Sequence, residues 1–145
     1  MYIVETRTIS GITQSLEVKH NNRFFVKFPK EFNIAVWQIQ KINKPKYADS
    51  KWMNIEIFFL DTIELSISKS LFNLIILIQT QKTNNQTKPL FIFDIVNCDQ
   101  KGEEIETWEI GVDDITYIDF GNCDYSSDDI QQIKMIIKPL FCLLK

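Results

Sequence analysis

Ile133-Lys-Met-Ile-Ile-Lys138 and the stretch before it, Glu104-Ile-Glu-Thr-Trp-Glu-Ile-Gly-Val-Asp-Asp-Ile-Thr-Tyr-Ile-Asp119, decide the fold class. A strand sends successive side chains to opposite faces, so an even–odd alternation of apolar and polar residues marks a sheet with one buried side. Ile133, Met135 and Ile137 share one face and are expected in a core. Lys134, Ile136 and Lys138 share the other, expected outside or against a neighbour, since side-chain faces are fixed by register. Upstream, Glu104–Ile110 reads as a strand carrying Trp108, and Val112–Phe120 as a second strand. The acidic turn Asp124-Tyr-Ser-Ser127 then leads into the final strand.

The same alternation recurs toward the N-terminus. Arg23–Phe28 is a strand stopped by Pro29, which has no N–H to give a ladder. Ile34–Ile42 also alternates, with Val36, Gln38 and Gln40 against Trp37, Ile39 and Lys41, so its buried face is ambiguous. Asn43–Ser50 is a polar turn region, and Asn54–Leu60 is a strand with Ile55, Ile57 and Phe59 on one side. Pro89–Val96 sets Leu90, Ile92, Asp94 and Val96 against Phe91, Phe93 and Ile95, and Asp99-Gln-Lys-Gly102 is a hairpin turn.

One segment changes period. Ile67, Leu71, Leu74, Ile75 and Ile78 lie on one face of a helix, with Ser66 or Ser68 as its cap. Phe72, Ile76 and Leu77 fall off that stripe, more apolar surface than a single core contact requires. Thr80–Lys88 reads as a loop. The expected fold class is α+β, mainly antiparallel β: a β-sandwich or small barrel with one packed α-helix, in a single domain over residues 1–145.

The 145 residues are 45% hydrophobic and 24% charged, the balance of a soluble globular protein. The longest apolar run, Leu74–Ile78, is far shorter than a membrane span, and the start lacks a signal-peptide layout. Three cysteines, Cys98, Cys123 and Cys142, without CxxC spacing point to reduced thiols in a cytoplasmic setting. The net charge of −3 is unevenly placed: residues 1–93 carry +5, residues 94–129 carry −11 and residues 130–145 carry +3. A basic and an acidic block in one chain suit head-to-tail contact between copies.

Residue types for catalysis are sparse. The only histidine, His20, sits in the polar turn Lys19-His-Asn-Asn22. Asp113-Asp114 and Asp128-Asp129 are adjacent pairs, which a regular strand would point to opposite faces. The four glycines form no phosphate loop, and the lysines form no stripe with interleaved aromatics. No catalytic residue, cofactor or metal ligand is expected.

The order Trp108-Glu, then Ile115, Ile118, Phe120-Gly121, then Asp124-Tyr-Ser-Ser127 and an alternating last strand resembles the C-terminus of tail tube proteins of T4-like contractile phages. Asn22-Arg-Phe-Phe-Val-Lys-Phe resembles that family's first strand. The plan from Phe32 through Pro45-Lys to Trp52 and Asp61 follows it too, so the resemblance covers about residues 20 to 141. It implies a tail-tube fold shared with Hcp-like tubes, hexameric rings stacked head to tail, and a lumen that DNA crosses without sequence-specific binding. It also implies sheath, baseplate or tail terminator partners, a place in the virion and no membrane. A tube initiator, hub or head-to-tail adaptor of the same fold, or a small non-catalytic phage binding module, fits the same sequence. Read with the helix surplus and the charge split, the resemblance marks Leu71, Phe72, Ile76, Asp113, Asp114, Asp124 and Tyr125 as candidate inter-subunit contacts.

Overall fold

The alternating segments become strands and the 3.6-period run becomes a helix in the computed structural model, which describes residues 3–9, 12–81 and 88–145. In chain order the strands are β1 (Ile3–Ile9), β2 (Ile12–Glu17), β3 (Phe24–Lys27), β4 (Ile39–Ile42), β5 (Tyr47–Ala48), β6 (Lys51–Trp52) and β7 (Ile55–Leu60). Helix α1 (Ile67–Gln81) follows, then β8 (Ile92–Cys98), β9 (Glu104–Asp119) and β10 (Gln132–Leu144). Six of these form one antiparallel sheet in the order β3-β8-β9-β10-β7-β4, curled into a nearly closed, barrel-like wall with a single helix against it. Among the described residues β1 and β2 pair only with each other, as do β5 and β6. The β5–β6 turn puts Asp49 and Ser50 at φ 53° and 62°, the two left-handed residues that match the twist of a tight hairpin.

The wall bends where β9 meets β10. Thr116, Asp113 and Leu140 are each skipped in the register between the two strands, three bulges in one ladder. Bulges raise local twist and turn barrel corners. Gly111 sits at the bend because the Phe141 ring lies over its Cα. A Cβ there would fall 2.2 Å from that ring. The expected break between Ile110 and Val112 is therefore absent: residues 104–119 run as one strand that kinks and does not stop.

Ile55, Ile57 and Phe59 of β7, and Ile133, Met135 and Ile137 of β10, are fully buried, as their alternation requires. They pack with Phe93 and Ile95 of β8, Ile110 and Val112 of β9, and Ile67, Leu71 and Leu74 of α1 in one core. The helix is tied to the end of β7 by Asp61. Its carboxylate accepts the Ile67 N–H at 2.8 Å and the Ser68 hydroxyl at 2.8 Å, while Ser66 Oγ accepts the Lys69 N–H at 3.3 Å. Ser66 is thus the capping hydroxyl, and Ser68 reaches back to Asp61.

The ambiguity at Ile34–Ile42 is resolved by a change of geometry. A 3-10 turn over Val36–Gln38 precedes β4, so the consecutive residues Gln38 and Ile39 are both buried. Buried Gln38 is fully occupied: its Oε1 accepts the Ala35 N–H at 3.0 Å, and its Nε2 donates to the Leu65 carbonyl at 2.7 Å. Most of the expected loop at Thr80–Lys88 lies outside the described residues, and the helix runs on through its first two positions, to Gln81.

Candidate assembly surfaces

Three surfaces stand out once the core is removed from consideration. The first is the outward face of α1. Leu71 is 0% exposed, sealed in the core by Ile67 and Leu74 one turn away on either side. It is therefore withdrawn from the candidate contacts, since a side chain without accessible surface has none to offer a neighbour. Phe72, at 56% exposed, and Ile76, at 44%, lie one helical turn apart on the wet side with Leu77 beside them. Burying such aliphatic and aromatic groups is worth roughly 1.5–3 kcal/mol each.

The second surface is the tip of the β9–β10 hairpin, residues 120–131, which is exposed throughout. Asp124 organises it. Its Oδ1 accepts the Ser126 N–H at 2.9 Å and the Ser126 hydroxyl at 2.7 Å, and its carbonyl accepts the Ser127 N–H at 3.2 Å. These bonds from Ser126 hold the Asp124 carboxyl below the usual carboxylate range. Gly121, at φ 96°, donates its N–H to Asp119 Oδ1 at 2.9 Å and starts the turn. The result presents Tyr125 wholly to solvent beside a groove of about 710 Å³ that also involves Ile130 and Gln132. At the same end of the barrel, Trp37, Ile63 and Leu65 surround a shallow apolar recess.

The third surface is the opposite end, where the gap in the wall opens. Glu106 points inward from β9 with Trp108 and Ile110, in register with buried Asn97 and Ile95. Lys19, which follows β2, and Lys44, which follows β4, both donate to its carboxylate, Lys44 at 2.6 Å. Trp108 Nε1–H adds a bond at 2.8 Å and stacks edge-on with Trp52, centroids 6.1 Å apart. The two ammonium groups, with the indole, pull the Glu106 carboxyl down to about 2. This cluster clasps the chain before β3 and the chain after β4 onto one strand.

The candidate aspartates separate accordingly. Asp113 pairs with Lys138 of its own chain at 3.6 Å, and Asp114 Oδ1 accepts the Ile115 N–H at 2.9 Å. Asp124 and Tyr125 come together at the hairpin tip, and Phe72 and Ile76 lie on the helix. The sequence pattern does not mark Glu106 and its lysines, because the three residues come from distant segments. Trp108, two residues on and hence on the same face, was the available signal.

Among the described residues no group of His, Cys, Asp or Glu is placed to hold a metal ion, and no helix is long and apolar enough to cross a membrane. Burial pushes the Cys142 thiol up to about 11. Burial, then the carboxylates of Glu104 and Asp99, raise that of Cys98, so thiolate is scarcer at both than at a free cysteine. No protein-family model matches the chain, and a search of curated proteins returns no match.

Proposed function

We propose that this chain is a structural subunit of a phage tail tube: six copies form a ring, and rings stack head to tail into a tube that DNA traverses. What carries the reading is where the family-like residues fall. Between Asn22 and Phe141 most of them fall on strands of one barrel-like sheet, with Trp52 on the separate β5–β6 pair, and the Asp-Tyr-Ser-Ser segment becomes the exposed tip of the β9–β10 hairpin. In that role Phe72, Ile76 and Leu77 face a neighbouring subunit, and Tyr125 with Ile130 reaches the next ring. Two different surfaces meeting head to tail close into a ring or continue as a filament, and this chain would need both relations. The sheath, the baseplate and the tail terminator are the partners of such a tube, and the virion is its place.

A single ring of the same fold, an initiator, hub or head-to-tail adaptor, is the second reading. The β5–β6 hairpin favours it, because two residues per strand leave little reach toward another ring. Negative-stain microscopy of the purified protein at tens of micromolar decides among these. Tubes support the main reading, isolated sixfold rings support the second, and featureless monomers at all salt concentrations overturn both.

A further inference from the structure

We infer that the gap between β3 and β4 is a strand-acceptor site, filled in the assembled protein by the β1–β2 hairpin of a second copy. The inference rests on the ring-forming reading above and names the contact that would link the copies. β3 and β4 end the order of the six-stranded sheet, and no ladder joins them. Each therefore turns one row of backbone N–H and C=O groups toward the gap, an arrangement that recruits another strand. Between them lies a cavity of about 450 Å³ lined by Phe24 on one edge, Gln40 and Ile42 on the other, and Ile95 and Asn97 on the floor. Asn97 is 6% exposed, and its Oδ1 is buried without a hydrogen-bond partner. A buried amide oxygen left empty is costly, so the floor beneath the two open edges carries an unmet polar group.

The donor is equally open. β1 and β2 form a six-pair hairpin ladder and, among the described residues, pair with no strand of the barrel. Two residues beyond β2, Lys19 is bound to Glu106. Each copy thus carries one unfilled seam and one unpaired hairpin, and exchange between copies is a heterologous contact of the kind that builds closed rings and filaments.

The test is hydrogen–deuterium exchange on the full chain, at a concentration that gives rings and after dilution to monomer, beside the variant Thr6→Pro. Proline at position 6 either unzips the hairpin, whose Thr6 faces Ser15, or blocks its outer edge. The expected result is joint protection of β1–β2, β3 and β4 in rings, lost on dilution. Thr6→Pro is expected to weaken assembly at least tenfold while the diluted monomer melts as before. Rings in which the β3 and β4 edges exchange as fast as in the monomer overturn the inference and leave the ring reading standing. Equal protection in the monomer also overturns it, because the chain would then fill its own seam. Absence of any assembly overturns both.

Discussion

Two acidic stretches of the β9–β10 hairpin behave in opposite ways. In the stretch from Glu104 to Asp113, the carboxylates find lysines of their own chain: Glu106 takes Lys19 and Lys44, Glu104 takes Lys27 at 3.1 Å, Glu109 takes Lys145 at 3.5 Å, and Asp113 takes Lys138 at 3.6 Å. In the stretch from Asp119 to Asp129, four aspartates crowd an exposed turn that holds no lysine or arginine. The difference teaches that a single run of negative charge in the sequence performs two jobs. Its first half fastens distant segments around the barrel, and its second half stands exposed in a turn with no basic residue of its own.

The comparison breaks most visibly if the shared ladder fails. Ile137 is fully buried and sits between Ile115 on β9 and Ile55 on β7. Ile137→Ala is expected to cost about 2–5 kcal/mol in denaturant melts of the monomer, the range for emptying a packed aliphatic site. Both halves of the hairpin would loosen together. A cost under about 1 kcal/mol would mean that the core lies elsewhere.

At the bend, Gly111→Ala places a methyl against the Phe141 ring and is expected to cost about 1–3 kcal/mol, as overpacking does. The double variant Gly111→Ala with Phe141→Ala is expected to recover part of that loss. If the two losses simply add, the ring is not what selects glycine.

Glu106→Gln sharpens the comparison directly, with an expected loss of about 1–3 kcal/mol at neutral pH for a charge-assisted cluster that loses its anion. The sign with pH follows from the carboxyl being held at about 2 against an ordinary 4.5. A group whose folded-state value is lowered stabilises fully above 4.5 and loses that contribution as pH falls from 4.5 toward 2. The gap between wild type and Glu106→Gln should therefore close over that window, read by melts at stepped pH. A gap that stays constant would remove Glu106 as its source.

Smallest is the effect expected at the tip. Replacing Asp124, Asp128 and Asp129 with asparagine should leave the monomer's denaturant midpoint almost unchanged, because all three are exposed. The same variant should blunt the salt sensitivity of assembly, read by sedimentation at low and high ionic strength. Assembly with unchanged salt dependence would take the tip aspartates out of the contact.

Much of this fold was legible wherever one face of an element is wholly apolar. Ile55, Ile57 and Phe59, Ile133, Met135 and Ile137, and the Ile67–Leu71–Leu74 stripe all announce their burial by period alone. Val36–Gln38 did not, because a 3-10 turn leaves Val36 and Trp37 exposed and buries Gln38 next to Ile39, which matches neither period. Gly111 resembled a strand end because the ring that covers it comes from Phe141, far along the chain. The β1–β2 hairpin has few apolar residues, so no alternation marks it in the sequence. The division of the acidic run was hidden for a further reason: its partners, Lys19, Lys27 and Lys44, are distant in sequence and are brought close only by the fold. The exposed helix face was half visible, since Phe72 and Ile76 fell off the stripe, whereas Leu71 belonged to it.

The most direct measurement is the mass of the full chain in solution at tens of micromolar, by sedimentation or native mass spectrometry. A ring of six 17.1-kDa chains would appear near 103 kDa, alone or within larger multiples of it, and would shift down as the sample is diluted. A species of 17.1 kDa at every concentration and salt would contradict the account.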